Sequence, residues 1–410
     1  MTNIHKFVLP NGVRVLVEPN AVVRSAAIGL TCRAGSRHET DNEAGITHFI
    51  EHMLFKGTEK RGAKQIAEEI EGRGGMLNAF TDKEQTTYYA RVLSDDTANA
   101  MDVLTDMLLN SALNPEELER EKGVVLEEIR RGEDEPGDQV HELHIQNRWG
   151  EHPLGKPIIG TKESVSGFSR DDLKTYMDGR YLGENLILSI AGNVDPVEME
   201  ALAREKMGGF AAGGESATLE KPISSVVRKE IGKDVEQVHF CMGGESVGIY
   251  DPQLYGVVVL DSILGGGMSS RLFQEVRERR GLAYAVGSYN LSYTAAGLFT
   301  IYGGTSEKTW AEVQEVVINE IKSVIHDGLR DGELAKVKRQ IAGNIVLGME
   351  GMSSRMQRMT KNELFHGREI PIDETLAKID AVTELQVRDL CAQILNPERL
   401  GVTAIGPFNA

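Results

Sequence analysis

The sequence predicts an α+β fold made twice: two structurally similar domains, each a mostly antiparallel sheet packed against helices. Three observations predict it. The chain has 410 residues, too many for one ordinary core and suited to two domains of about 200 residues each. A small, polar, flexible stretch, Ala211-Ala-Gly-Gly-Glu-Ser-Ala-Thr-Leu-Glu-Lys-Pro222, cuts it nearly in half. On either side of that stretch the same kinds of element recur in step, which is the mark of an internal repeat. The expected division is therefore 1–210, a linker at 211–222, and 223–410.

The elements can be taken in order. Val13 to Glu18 and Arg24 to Gly35 are apolar runs of strand length, and Val226 to Ile231 with Val235 to Gly244 hold the matching places. Each pair leads into a helical pattern, Glu43 to Phe55 and Pro252 to Leu264, and then a second, Ala63 to Arg73 and Ser269 to Arg280. Hairpin strands come next: Gly75 to Thr81 with Thr86 to Val92, and Tyr284 to Tyr293 with Gly297 to Gly304. Long helices complete each half, one of them entered through Pro115 at a first-turn position. Each half closes on an apolar strand running into glycine, Leu186 to Gly192 and Leu400 to Gly406.

Composition excludes several functions. A content of 40% hydrophobic and 26% charged residues suits a soluble globular protein. A net charge of −17 speaks against nucleic acid as a partner, because a DNA-binding face needs clustered Lys and Arg. Cys32, Cys241 and Cys391 lie far apart, with no redox or zinc-ligand spacing, which suits a reducing compartment. The opening Met-Thr-Asn-Ile-His-Lys carries no apolar leader, and no apolar run approaches a membrane span, so a cytoplasmic location is expected and no membrane partner. Leu264-Gly-Gly-Gly-Met-Ser-Ser-Arg-Leu-Phe273 is glycine-rich but lacks the Gly-Lys-Ser/Thr ending of a phosphate loop; it reads as a turn between helices.

The stretch that carries chemistry is Gly45-Ile-Thr-His-Phe-Ile-Glu-His-Met-Leu-Phe-Lys-Gly57. On a helix, His48 and His52 stand one above the other on one face, within reach of a single Zn²⁺. Glu51 borders that face and can sit beside a water on the cation without ligating it. Phe49, Ile50, Met53 and Leu54 point elsewhere and bury the helix. The His-x-x-Glu-His order is the inverted-zincin signature. A hydrolytic zinc also needs a third protein ligand and an open position. In the helix after Pro115, Glu121 and Glu128 are two turns apart on one face, so one can ligate while the other orients a histidine N–H. Glu127 points roughly 100° away. Spacing prefers Glu128 as the ligand without deciding between the two.

These motifs, His48-Phe-Ile-Glu-His52 with Asn78-Ala79-Phe80-Thr81, Tyr88-Tyr89-Ala90 and Val124-Val-Leu-Glu-Glu128, resemble the pitrilysin and mitochondrial processing peptidase family of metallopeptidases. The resemblance covers essentially the whole chain and is closest to the short members with two similar domains per subunit. It implies a zinc endopeptidase with His48, His52 and Glu128 as ligands, Glu51 as catalytic base and Glu121 supporting a histidine. It implies that Asn78 and Ala79 face the backbone of an extended peptide, and that Arg277 and Tyr284 hold that peptide and help stabilise the tetrahedral intermediate. Aligning Gly45 with Gly256 sets Val259, Ser262 and Ile263 opposite His48, Glu51 and His52, so one Zn²⁺ per chain is expected.

The expected activity is cleavage of peptides or unfolded segments bound extended inside a closed chamber. Because both half-sites occur in one short chain, the expected assembly is a homodimer with sites completed across subunits. An alternative of a different class is a non-catalytic core or scaffold subunit of an assembly, disfavoured by the complete ligand set; a second alternative is the catalytic half of a heterodimeric processing peptidase, disfavoured by Arg277 and Tyr284 in the same chain.

Overall fold

Apolar runs that can be covered on both faces become central strands. Ser25–Cys32 (β3) is buried from Ala26 onward and Leu186–Gly192 (β6) is buried throughout. They pair antiparallel at the middle of a six-stranded sheet. His5–Val8 (β1) and Arg14–Pro19 (β2) extend it on one side; Thr86–Leu93 (β5) and Met76–Thr81 (β4) extend it on the other, giving the order β1-β2-β6-β3-β5-β4. Only the β2–β6 contact is parallel. The computed structural model describes residues 4–214 and 220–408, so the linker expected at 211–222 lies partly outside the described residues.

The second sheet repeats the first. Arg228–Gly232 (β7), Val238–Ser246 (β8), Ala283–Ser292 (β9), Gly297–Thr305 (β10) and Gly401–Gly406 (β11) run in the order β7-β11-β8-β10-β9. Without β1, the first sheet has the same order strand for strand, and the single parallel contact, β7–β11, falls at the matching place. The two-domain α+β fold predicted from the sequence is what forms. The strand β1, absent from that prediction, is short and mostly exposed, so no apolar run announces it.

The compact units, however, are not the two sequence halves. The first comprises the described parts of 1–129, 157–218 and 347–371; the second comprises 130–156, 219–346 and 372–410. Each half thus gives one helix to the other unit, which a division into 1–210 and 223–410 does not convey. In the first unit, Met352, Met356 and Met359 of the helix Met352–His366 pack on Leu16, Ala27, Ile187 and Ala191 of the sheet. A Cβ at Gly29 would lie 2.5 Å from Met356 Sδ, so glycine lets the helix sit close. Thr360 reaches Ser189 across 2.8 Å, and Glu363 pairs with Lys6 at 2.7 Å. In the second unit, the helix Pro136–Trp149 takes the equivalent position, with Val140 against Cys241 and Ile405. The opposite face of each sheet carries the unit's main core.

The helix expected at 269–280 has a wide turn instead of a regular one: Phe273–Glu278 is a π-helix, and Arg279 N–H donates to the Gln274 carbonyl. Widening brings Arg279 and Arg280 to the same carboxylate, Glu275, at 2.5 and 2.7 Å. These two arginines are therefore anchors for a buried acid as well as surface charges.

Candidate metal centre

The helix bearing the histidines is Ile46–Leu54 (α1). Gly45 precedes it at φ 88°, a left-handed conformation that favours glycine, and a Cβ there would lie 2.5 Å from the Ile159 carbonyl oxygen. Glu39 closes the helix start: its carboxylate accepts from the Gly45 N–H at 2.8 Å and from the Thr47 N–H at 2.9 Å. Burial pushes the Glu39 carboxyl up to about 7, against the lowering effect of those hydrogen bonds. Ile46, Phe49, Ile50, Met53 and Leu54 are buried in the first unit's core. That leaves His48, Glu51 and His52 on the remaining face, all partly buried.

The third group comes from Pro115–Asp134 (the second of the two helices at the site), where Leu118, Val125 and Ile129 bury one stripe. Glu128 Oε2 lies 4.0 Å from His48 Nε2 and 3.7 Å from His52 Nε2. The ligand atoms of these three residues lie within 4.8 Å of one another, and they are the one such group of three among the described residues. Tetrahedral zinc with bonds near 2.0–2.1 Å separates its ligand atoms by roughly 3.4 Å. Drawing the ligand atoms together, from 4.0 Å to roughly 3.4 Å for the His48–Glu128 pair, seats the ion, and the two-nitrogen, one-oxygen set leaves a fourth position open. The residues fit the metal.

The orientation of His52 and the protonation state of His48 also suit a cation. Burial, and then the charge of His52, push the His48 imidazole down to about 4, keeping it neutral as a ligand must be. Among the described residues His48 Nδ1 is enclosed with no hydrogen-bond partner, so no hydrogen bond at that nitrogen orients the ring. His52 differs. Its Nδ1 meets Glu121 Oε1 at 2.9 Å, which turns Nε2 towards the metal position. Burial disfavours its charged form, but that hydrogen bond and the carboxylates of Glu121, Glu128 and Glu51 outweigh burial and raise its pKa. Glu121, almost fully buried, is held low by His52 and by Lys56, whose Nζ is 2.7 Å from Oε2, against the opposing effect of its own burial. Burial raises the pKa of Glu51, partly offset by a hydrogen bond donated by the Thr81 hydroxyl. A carboxylate with an elevated pKa beside a metal position is suited to receiving a proton.

Thr81 belongs to β4, an edge strand of its sheet. The ladder to β5 pairs Asn78 with Tyr89 and Ala79 with Tyr88, and among the described residues no strand pairs with the other edge of β4. Asn78 is exposed, and its side-chain oxygen accepts from the Ala79 N–H at 2.8 Å. In the second unit, Arg277 and Tyr284 come together: the guanidinium stacks over the Tyr284 ring at 4.6 Å and the Phe273 ring at 4.8 Å. Tyr284 is 80% exposed. Val259 and Ile263 are buried in the second core, where imidazoles would stand if the repeat were functional twice. Two contributors were not singled out from the sequence, Thr81 as the partner of Glu51 and Lys56 as the partner of Glu121; the lysine's place four residues beyond His52 was the available signal.

Residues 14–162 match the family model described as "Insulinase (Peptidase family M16)", and residues 167–341 match "Peptidase M16 inactive domain". The protein named "Uncharacterized zinc protease YmxG" of Bacillus subtilis is 40% identical over 395 residues, spanning 96% of both chains. This chain belongs to peptidase family M16. A second M16 relative, "Uncharacterized zinc protease ML0855" of Mycobacterium leprae, is 41% identical over 98% of this chain and 91% of its own. The fold is that of two solved structures, an M16 inactive domain from Pseudomonas fluorescens (22% identical) and a protease from Helicobacter pylori (18%). Each has a TM-score of 0.92 and covers 99% or more of both chains. The resemblance read from the motifs is thereby shown. The relatives' names carry zinc, in agreement with the donor set found in α1 and its neighbour helix. Among the described residues no helix is long and apolar enough to cross a membrane.

Proposed function

We propose that this chain is a zinc-dependent endopeptidase, with one zinc held by His48, His52 and Glu128, acting on peptides or unfolded segments bound in extended form. The observation that carries the reading is the convergence of two imidazoles and one carboxylate on one point, with Glu51 beside them and hydrogen-bonded to Thr81 of the edge strand β4. Zinc bound there supplies Lewis-acid polarisation of the scissile carbonyl and of a water. Glu51 takes the proton from the attacking water and delivers it to the leaving amine. Thr81 fixes the Glu51 carboxylate while it does so. An extended substrate adds to the free edge of β4, and its backbone displaces the Asn78 side chain from the Ala79 N–H. Arg277 and Tyr284 hold the substrate backbone, the tyrosine hydroxyl serving as a donor to the developing oxyanion.

Glu51→Gln tests this directly. The variant should bind zinc as the wild type does while cleavage of an unstructured peptide falls by about 10²- to 10⁴-fold. Undiminished cleavage would remove Glu51 as the base. Comparable turnover of folded globular proteins and short peptides would count against the substrate class.

The assembly we favour is a homodimer that completes each site across subunits within a closed chamber. Its motivation is that the zinc ligands and the Arg277–Tyr284 pair occur in one short chain. Mixing Glu51→Gln and Tyr284→Phe chains, with subunit exchange verified, should restore part of the activity; no recovery rejects cross-subunit sites. A cytoplasmic setting accords with three free, buried cysteines.

A further inference from the structure

We propose that the second unit carries an oxyanion-binding pocket centred on Arg148, which takes the phosphate or carboxylate group of a small ligand. Arg148 lies near the end of the helix Pro136–Trp149 and is only 4% exposed. Its Nε and Nη1 are enclosed and have no hydrogen-bond partner among the described residues. No carboxylate lies within ion-pair distance of it among the described residues. A buried guanidinium without a partner is expensive: an unsatisfied buried donor costs about 1–3 kcal/mol, and more when charged. Proteins retain such groups where something else completes them.

Arg148 lines a cavity of about 580 Å³. The Ser224 and Ser246 hydroxyls, which line the same cavity, are also enclosed without partners. Arg399 lines it too, exposed and with no ion pair among the described residues. Two guanidiniums and two hydroxyls, all uncommitted, therefore surround one space. The cavity's remaining charges do not satisfy them. Glu245 is engaged by Lys221 at 2.8 Å, and Asp251 accepts from the Gln253 N–H at 2.8 Å. Burial lowers the pKa of Arg148; the charge of Glu245 partly opposes this, and repulsion from Arg399 adds to it. An oxyanion between the two arginines would offset their repulsion and supply partners for the buried donors.

The chemistry of the donors selects the ligand. Guanidinium forks suit planar carboxylates and tetrahedral phosphates, and hydroxyls supply the further donors that a phosphate oxygen takes. The volume exceeds that of a bare ion and falls in the range of small-molecule sites, so the natural ligand has a body beyond its anionic group. None of these residues belongs to the metal centre or to the Arg277–Tyr284 pair, so the proposal stands independently of the peptidase reading.

The test uses the full, zinc-loaded chain, titrated calorimetrically with inorganic phosphate and separately with acetate at constant ionic strength in chloride. Wild type should bind at least one of the two saturably, one per chain; the preferred anion identifies the ligand as a phosphate ester or a carboxylate. Arg148→Met should weaken that binding at least tenfold, and Arg399→Gln, at an exposed position, should weaken it measurably with peptide cleavage unchanged. If Arg148→Met does not fold, the Arg399→Gln comparison decides. Absence of saturable binding of both anions, or equal affinity in wild type and Arg399→Gln, overturns the proposal: the cavity then holds only water.

Discussion

Glu121 is bonded on both oxygens, to His52 Nδ1 at 2.9 Å and to Lys56 Nζ at 2.7 Å, so in the proposed site it would steady His52 and not ligate the ion. Glu121→Gln should therefore lower zinc affinity by about 10- to 100-fold, read by competition with a chelator, while cleavage recovers at saturating zinc. Thr81 predicts a different pattern. Its hydroxyl donates to Glu51, the proposed base, so Thr81→Val should reduce turnover with zinc content unchanged. These contrasts show what was legible at this scale. His48, Glu51 and His52 declare themselves because the helical repeat converts their spacing into one face. The choice of Glu128 over Glu121 depended on family resemblance, since two residues a heptad apart on one face are equivalent until the facing helix is placed. Thr81, thirty residues from Glu51, becomes its partner only when β4 lies beside α1, which no local pattern reveals.

At the scale of elements, α1 is held by Glu39 at its start as well as by its buried face. The Glu39 carboxyl stands at about 7 in the fold against an ordinary 4.5. Between those values the folded chain keeps a proton that the unfolded chain releases, so this group's contribution to stability is full at low pH and falls as pH rises through about 7. Denaturant unfolding of wild type and Glu39→Gln at about pH 5 and about pH 8 checks this. Wild type should lose stability relative to the variant on going to the higher pH; the opposite sign, or no difference, would show that the Glu39 carboxyl is not raised. Strands and hairpins were legible because runs such as Leu186 to Gly192 are apolar throughout and stop at glycine. The π-turn at Phe273–Glu278 was not, because the pull of Glu275 on two successive arginines is a tertiary effect laid over an ordinary helical pattern.

The whole molecule is two copies of one topology that exchange a helix, and that exchange binds the stability of each unit to both sequence halves. A fragment of residues 1–210 lacks Met352–His366, leaving the apolar face of Leu16, Ala27, Ile187 and Ala191 uncovered. Expressed alone it should aggregate or unfold without cooperativity, and co-expression with 211–410 should restore a soluble, zinc-binding species; a soluble, cooperatively folded 1–210 would contradict the exchange. The repeat was visible in the sequence, but the exchange was not, since hydrophobic periodicity shows that a helix has a partner and not which sheet provides it. The proposed peptidase activity requires three side chains to share one cation. Diffraction from zinc-loaded crystals, recorded on either side of the zinc absorption edge, tests that most directly. The predicted result is one anomalous peak per chain, within about 2.0–2.2 Å of His48 Nε2, His52 Nε2 and a Glu128 oxygen, with Glu121 outside bonding distance. A peak ligated by Glu121 or Glu127 in place of Glu128, or no peak between the two histidines, would contradict it.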